Sequence, residues 1–298
     1  MTKTEIRQRF HNLSTWEGRA PHKPLLVLLA LARCSRGEER TIPYGDVDQP
    51  LKALLIEFGP ARKSQHTEYP FWYLQSDGVW MVENAEAAQA RRGKRSQPTK
   101  RELLRVGAVG GFTPQVHRVL VSDKRFATEL AQGLLDGHFP ETVHQDILDA
   151  VGLDLEDLRS EEKTQRDPRF REQVLLAYGY RCALCGFDLQ LGRNVIGIEA
   201  AHIKWHMAHG PSTTNNGLAL CSLHHKLFDR GVFTLNTERR ILVSKHARGG
   251  PSTKRWLTKV SGKRLHLPDD PGDQPRDAYV AWHGREVFRK PAVWLGNH

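Results

Sequence analysis

An α+β fold is predicted by three features of the sequence. Apolar side chains recur at helical spacing through much of the first half, as at Ile6 and Phe10. An aromatic stretch, Tyr69 to Val82, contains a Ser-Asp-Gly turn and is typical of a short β-hairpin or wing. In the second half, a β-rich stretch from Val195 leads to a helix that stops near Gly231. We therefore expect a mostly helical N-terminal domain and a C-terminal domain in which short strands precede a helix.

The domain boundaries are predicted from a change in composition. The chain has 298 residues, which is enough for two domains of ordinary size. A highly charged stretch separates the halves, so we expect an N-terminal domain at 1–155, a linker at 156–168 and a C-terminal domain at 169–298. The C-terminal domain ends in a helical tail, Asp277 to Arg289, whose apolar stripe docks either on the core or on a partner.

The overall charge favours a polyanionic partner. The formal net charge is +10 and the pI is about 9.6, and nucleic acid is the commonest such partner. A basic protein without that partner remains the alternative. The longest apolar run, Leu25 to Ala32, is too short to cross a bilayer, and no apolar signal-peptide core follows Met1. These observations predict a cytoplasmic protein that is not associated with a membrane.

Two matched pairs of residues predict a structural zinc site. Cys182 and Cys185 form a C-x2-C pair, and Cys221 and His224 form a C-x2-H pair. Each spacing lets two side chains reach one ion, and four sulfur and nitrogen ligands in a tetrahedron are what Zn²⁺ requires. Unrelated free cysteines and a surface histidine are the alternative. Because all four positions are filled by protein ligands, the ion would stabilise the fold and do no chemistry.

A second set of polar residues lies between and beside these pairs. His202 ends the β-rich stretch, Asn216 follows a polar loop in an Asn-Asn-Gly-Leu segment that we expect to open a helix, and His225 lies on that helix. Adjacent helical positions differ by about 100° around the axis, so His225 faces away from the zinc side of His224. Asp229 is four residues further on and shares the face of His225.

The order of these residues resembles the HNH nucleases, which share the ββα-metal fold. The resemblance covers about Asp167 to Ser244. It implies that His202 is the general base, that Asn216 orients the site and that His225 helps to hold Mg²⁺ or Mn²⁺ for phosphodiester cleavage. Many HNH sites place Asp or His directly before the base, whereas this chain has Ala201. Glu199 is the nearest carboxylate, and strand alternation points it away from His202, which leaves the ligand set incomplete.

Three segments of the first half resemble a second family. Ala20 to Leu26, Leu51 to Pro60 and Glu68 to Trp80 are similar to the sulfur-binding domain of phosphorothioate-dependent restriction endonucleases of the McrA type, over about residues 1–155. The resemblance implies an apolar surface pocket, lined by an aromatic-Pro pair and flanked by a basic side chain, that accepts the sulfur of a modified DNA backbone. Sulfur is larger and less well hydrated than oxygen, so an apolar pocket favours it.

The residues that this resemblance assigns to DNA fall into two groups. Tyr69 and Pro70 match the aromatic-Pro pair, with Tyr73 nearby, although the run from Tyr69 to Trp72 is also explained by a core aromatic cluster. The other group supplies positive charge and contacts to bases or phosphates: Arg19, His22, Lys23, Lys63 and His66. Residues 84–100 are basic as well, and are interpreted either as a phosphate-contacting arm or as a solvated loop.

The function expected from these observations is that of a type IV-like restriction endonuclease. It would read phosphorothioated double-stranded DNA and hydrolyse it nearby with a divalent cation, as a homodimer if both strands are cut. One alternative keeps the HNH nuclease but has the N-terminal domain read methylated or unmodified DNA. Another is a non-catalytic zinc-containing DNA-binding protein.

Overall fold

The computed structural model describes residues 1–13, 21–60, 62–84, 97–155, 168–192 and 194–293. The chain divides into two compact units, Met1–Glu162 and Lys163–His298. The predicted linker spans this division, and all of it except Pro168 lies outside the described residues. Within the described residues, no helix is both long and apolar enough to cross a membrane.

The N-terminal unit is built from helices around a small sheet, which confirms the predicted α+β class for this half. Its elements in chain order are α1 (Lys3–His11), α2 (His22–Ser35), β1 (Thr41–Pro43), α3 (Tyr44–Phe58), α4 (Glu68–Tyr73), β2 (Trp80–Glu83), α5 (Lys100–Arg105), β3 (Val109–Phe112), α6 (Pro114–Ser122), α7 (Lys124–His138) and α8 (His144–Val151). The three strands form an antiparallel sheet in the order β1-β3-β2.

Local sequence explains several of these boundaries. Thr2 and Thr99 begin α1 and α5 with capping boxes, in which the threonine hydroxyl accepts from a backbone N–H and a glutamate returns the bond. α8 ends at Gly152, whose φ of 68° is a left-handed conformation that glycine adopts without strain. α2 is apolar on most of its surface and accordingly lies buried in the core of the unit.

The aromatic stretch differs from its prediction in its first half. Tyr69 lies on α4 and is followed by a 3-10 turn, Leu74–Asp77, and only Trp80–Glu83 is a strand. That strand pairs with β3 and not with the preceding aromatic residues. Pro70 falls in the first turn of α4, where a missing N–H costs nothing, so proline favours the helix here.

The C-terminal unit contains the ββα arrangement expected of the second half. Its elements are α9 (Pro168–Ala177), β4 (Gln190–Leu191), β5 (Asn194–Val195), β6 (Ile198–His202), β7 (Gly217–Cys221), α10 (Ser222–Asp229), β8 (Phe233–Leu235), β9 (Ile241–Ser244), α11 (Pro251–Val260), α12 (Asp277–Glu286) and β10 (Ala292–Val293). β6 pairs with β7, β4 with β5, and the order β10-β9-β8 forms a third antiparallel sheet.

The segment after Asn216 was predicted as the start of a helix, and this prediction is wrong. Gly217–Cys221 is strand β7, and the helix begins at Ser222. A Cβ at Gly217 would lie 2.4 Å from Val174 Cγ2, so glycine lets α9 pack closely against the strand. Gly217 is also the register partner of His202 across the β6–β7 pair.

The C-terminal tail helix packs against the core of its own unit. Val280 of α12 belongs to the core of the C-terminal unit, and His283 is completely buried. The His283 ring stacks on Phe228 of α10 at 3.7 Å between ring centroids. The helix is therefore part of the structure that supports α10.

Candidate functional site

His202 lies at the end of β6 with its ring held from two sides. Phe170 of α9 stacks on it, with 4.0 Å between ring centroids and an interplanar angle of 20°. Its Nε2 lies 3.2 Å from Ser212 Oγ, and His206 approaches edge-on at 6.0 Å. The side chain is partly exposed. The imidazole therefore has a defined plane and remains within reach of solvent.

Asn216 is fully buried and fixes the loop between β6 and β7. Its Oδ1 accepts from the backbone N–H of Lys204 at 2.8 Å, and its Nδ2 donates to the carbonyls of Lys204 and Pro211 at 2.9 and 2.8 Å. The loop that these bonds hold begins directly after His202 and contains Ser212. The three side-chain bonds of Asn216 are all to this loop, which follows His202 directly.

Residues far along the chain support the same loop. Arg276 donates its backbone N–H to the Asn215 carbonyl at 3.0 Å. Trp282 of α12 packs against Trp205, with 5.9 Å between ring centroids. Nothing in the sequence indicated that the tail takes part in the site, because these contacts depend on the tertiary fold.

His225 lies between two carboxylates. Its Nδ1 is 2.6 Å from Glu199 Oε2, and its Nε2 is 3.3 Å from Asp229 Oδ2. Ser222 donates to the other oxygen of Glu199 at 2.8 Å, which fixes the carboxylate. If Nδ1 carries the proton that Glu199 accepts, the lone pair of a neutral Nε2 faces the Asp229 carboxylate. Two acceptors so placed require a proton or a cation between them.

Glu199 is a functional candidate that the sequence prediction left out of the ligand set. Alternation along β6 places it on the same side of the strand as Ala201, the position where many HNH nucleases carry Asp or His. The strand thus turns Glu199 away from His202 and towards α10. His202 and Glu199 are three residues apart, about 10 Å along a strand. His202 contacts Phe170 and Ser212, whereas His225 contacts Glu199 and Asp229. Strand β6 connects the two sets of residues, because it carries both His202 and Glu199.

The predicted zinc ligands come together in one cluster. One ligand atom from each of Cys182, Cys185, Cys221 and His224 lies within 4.8 Å of all the others. Sulfur ligands at about 2.3 Å from a tetrahedral Zn²⁺ are separated by about 3.8 Å, so the cluster fits that ion. His224 presents Nδ1, at 3.1 Å from Cys221 Sγ and 3.4 Å from Cys182 Sγ.

The three thiols of the cluster interact with one another: hydrogen bonding with Cys182 raises the pKa of Cys221, and burial raises the pKa of Cys185. Hydrogen bonding from Cys221, with a further contribution from His224, lowers the pKa of the Cys182 thiol against the opposing effect of burial. Thiolates are the form in which cysteine binds metal. The His224 ring stacks on Trp256 of α11 at 5.1 Å between centroids, which holds the ligand in place.

The predicted sulfur-contacting residues gather around α4. Tyr69 and Tyr73 are 41% and 42% exposed, so both rings are accessible from solvent. The ring of His66 stacks on Tyr69 at 4.7 Å with an interplanar angle of 10°. Pro70 is buried beneath this surface. Phe71 is fully buried in the core, so the core explanation of the aromatic run applies to that residue.

The predicted basic contacts divide by environment. Lys63 is exposed. Burial, with smaller contributions from Arg62 and His66, lowers the pKa of His22 to about 4, so this imidazole is neutral at pH 7 and supplies hydrogen bonds in place of charge. Lys23 is only 8% exposed and its Nζ lies 2.6 Å from Asp77 Oδ2.

The burial of Lys23 runs against its prediction as a DNA contact, because its ammonium is already held within the protein. Arg19 lies outside the described residues, as does most of the predicted arm at 84–100. Of that arm, Lys100 is described, and its ammonium pairs with Asp48.

Comparison with protein families assigns both halves of the chain. Residues 3–156, more than half of the chain, match the family described as "ScoMcrA-like, DNA sulfur-binding domain". The chain belongs to this family. Residues 182–236 match the family described as "HNH endonuclease". The chain thus combines a DNA sulfur-binding domain with an HNH endonuclease domain, as the resemblances implied. Among curated proteins, none matches.

The chain is also similar to several solved structures. The sulfur-binding domain of ScoMcrA complexed with phosphorothioated DNA is 24% identical, with 51% of this chain and 97% of that chain covered and a TM-score of 0.43. The corresponding SprMcrA complex is 24% identical, with 53% and 96% covered and a TM-score of 0.43. The type IV phosphorothioation-dependent restriction endonuclease ScoMcrA is 23% identical, with 58% of this chain but only 33% of that chain covered and a TM-score of 0.42.

Proposed function

We propose that this protein is a type IV-like restriction endonuclease that recognises phosphorothioate-modified DNA and hydrolyses a phosphodiester bond nearby. The observation that carries the proposal is the presence of both families in one chain, a DNA sulfur-binding domain at 3–156 and an HNH endonuclease domain at 182–236. One domain selects the DNA and the other supplies the chemistry, so neither alone gives the proposed specificity.

His202 is the proposed general base. A partly exposed imidazole whose plane is set by Phe170 and Ser212 is suited to remove a proton from a water molecule beside the scissile phosphate. Asn216 is a positioning residue, because its three side-chain bonds hold the loop that follows the base. Removing those bonds would leave buried backbone groups unpaired and free the loop to move.

Asp229 Oδ2 and His225 Nε2 are the proposed ligands of Mg²⁺ or Mn²⁺. Their separation of 3.3 Å is close to the edge of an octahedron around Mg²⁺, about 3 Å for ligands at 2.0–2.1 Å. Such a cation, when bound, stabilises the negative charge that develops on the phosphate. Glu199 is the proposed positioning group: by accepting from Nδ1 of His225 it leaves the Nε2 lone pair available to the ion.

Replacement of Glu199 tests this arrangement. We expect Glu199→Ala to weaken Mn²⁺ binding and slow cleavage by about 10–100-fold, since a carboxylate that orients a metal-binding histidine contributes that much. Glu199→Gln keeps an acceptor for Nδ1–H and should retain most of the binding. Electron paramagnetic resonance of a Mn²⁺ titration measures the affinity independently of activity. If Glu199→Ala binds Mn²⁺ with wild-type affinity and its zinc content is unchanged, Glu199 has no part in the metal site.

The Cys3His cluster is the proposed site of structural Zn²⁺. Its four protein ligands leave no position for water or substrate, which is the pattern of a site that stabilises a fold. Cys182 and His224 come from segments on either side of β6 and β7, so one ion would tie together the strands and helix that carry His202 and His225.

The exposed surface around α4 is the proposed recognition site for sulfur. Tyr69 and Tyr73 offer aromatic faces, and Pro70 lies beneath them. The proposed contacts to phosphates or base edges are His66, Lys63 and the neutral His22. An apolar surface disfavours a well-hydrated phosphate oxygen more than it disfavours sulfur.

Cleavage of matched duplexes tests the function as a whole. The same sequence is prepared phosphorothioated, methylated and unmodified, and each is incubated with the protein and Mn²⁺. Preferential cutting of the phosphorothioated duplex supports the proposal. Equal cutting of all three duplexes would indicate an HNH nuclease without sulfur specificity. Binding without cutting would indicate a non-catalytic DNA-binding protein. Since one HNH site cuts one strand, we expect double-strand breaks to require a homodimer, which sedimentation equilibrium measures.

A further inference from the structure

The charge of the chain is concentrated in one stretch of the C-terminal unit. Residues 239–268 contain nine Lys and Arg and no Asp or Glu, in a chain whose net charge is +10. We propose that an exposed basic surface formed by this stretch binds the sugar-phosphate backbone of duplex DNA. This inference rests on the proposed function, because it supplies the nuclease unit with its own contact to the substrate. We define the basic surface as Lys245, Arg248, Lys254, Arg255, Lys259, Lys263 and Arg264.

The seven side chains of the basic surface are exposed and unneutralised. None of them forms an ion pair with any residue in the described part of the chain. The other two cations of the stretch differ, since Arg239 pairs with Asp277 and Arg240 with Glu238. Like charges this close in the chain, with no acidic residue among them, repel one another in the free protein. A polyanion relieves that repulsion and releases its own condensed counterions.

Helix α11 shows how the sequence directs these charges outwards. Leu257 and Val260 are buried in the core of the unit and Trp256 packs against it. At about 100° per residue, Lys254, Arg255 and Lys259 fall on the opposite half of the helix. An amphipathic helix whose charged residues are all cations presents ammonium and guanidinium groups to its outer side, as a contact to phosphates requires.

The basic surface is fixed to the part of the unit that carries the nuclease residues. Trp256 of α11 stacks on His224, which precedes His225 on α10. At the other end of the surface, Ile241 donates its N–H to the Lys263 carbonyl at 2.9 Å, and Gly262 donates to the Ile241 carbonyl at 2.9 Å. The surface therefore sits on a folded scaffold. It begins after residue 236, where the match to the HNH family ends, so neither family match assigns it.

Neutralising the surface tests the inference in the full-length protein. The variant Lys254→Gln/Arg255→Gln/Lys259→Gln is compared with Arg105→Gln/Arg118→Gln/Lys124→Gln, which removes three exposed cations from the N-terminal unit. Binding to an unmodified duplex is measured by fluorescence anisotropy over a range of salt concentrations, without added Mg²⁺ or Mn²⁺. We expect the surface variant to bind more than tenfold more weakly at 100 mM salt, with the salt slope reduced by about 2–3, and the control to change little.

Three outcomes would overturn the inference: equal losses in both variants, no loss in either, or a larger loss for a duplex RNA of the same length than for DNA. Zinc content and thermal unfolding check that the variants fold, and Lys245→Gln/Lys263→Gln/Arg264→Gln provides a second set off the helix. The proposed function fails separately. If the protein binds DNA through this surface but cuts no duplex, the inference holds and the nuclease assignment is wrong. If the protein cuts normally but neutralising the surface does not weaken binding, the inference is wrong and the nuclease assignment holds.

Discussion

Replacing His202 with alanine is expected to abolish DNA cleavage while leaving DNA binding and zinc content unchanged. A positioned general base contributes about 10²–10⁴-fold to a rate. The ring of His202 contacts Phe170 and the loop hydroxyl of Ser212, so its loss removes a proton acceptor with little change to the core. The measurement is the rate of Mn²⁺-supported cleavage of phosphorothioated DNA under single-turnover conditions.

A histidine in the same loop provides the control. His209 is exposed and has a φ of 59°, a left-handed conformation that asparagine tolerates, so His209→Asn preserves the backbone. We expect this variant to cut at the wild-type rate. Cleavage by His202→Ala at a rate close to that of His209→Asn would show that His202 is not the base.

Loss of zinc is expected to unfold the C-terminal unit and spare the N-terminal one. The C-terminal sheets have two to three strands each, and the Cys3His cluster joins the segment before β6 to α10. A structural zinc site of this kind contributes apparent binding energies of about 10–16 kcal/mol, which exceeds the total stability of most domains. Cys185→Ser should therefore reduce the bound zinc to less than one ion per chain. It should also increase the rate of amide hydrogen exchange throughout residues 168–293.

Hydrogen exchange resolved by unit, together with elemental analysis, measures both effects. Cys34→Ser is the matched control: Cys34 is partly buried in the N-terminal unit, where burial raises the pKa of its thiol to about 11. This variant should keep its zinc and its C-terminal protection. A Cys185→Ser protein that is free of zinc yet fully protected would contradict the structural role of the cluster.

The features that the sequence predicted are those encoded over short distances. The paired spacing of Cys182 with Cys185 and of Cys221 with His224 places two ligands of each pair near one ion whatever the rest of the fold does. The opposite directions of His224 and His225 follow from helix geometry alone. The α+β class and the two families were likewise recognisable, because their motifs are continuous segments of sequence.

The features that were missed depend on tertiary contacts or on ambiguous local signals. The helix at Tyr69 was taken for a strand because aromatic residues favour strands, although Pro70 in the first turn favours a helix. The Asn-Gly sequence at Asn216 and Gly217 is compatible both with the start of a helix, as predicted, and with the start of a strand, as in the structure. Glu199 was left out of the predicted ligand set because the alternation of side chains along the strand points it away from His202. Only the position of α10 reveals that the same alternation brings it to His225.

The most direct test of the central claim uses one long duplex with a single phosphorothioate linkage at a known position. After incubation with the protein and Mn²⁺, the cut ends are mapped on both strands, with the all-oxygen duplex as reference. We predict that the cuts cluster within a short, fixed distance of the sulfur and that the reference duplex stays intact. Cuts scattered along both duplexes at equal rates would contradict the account, because sulfur recognition by one domain would not then direct hydrolysis by the other.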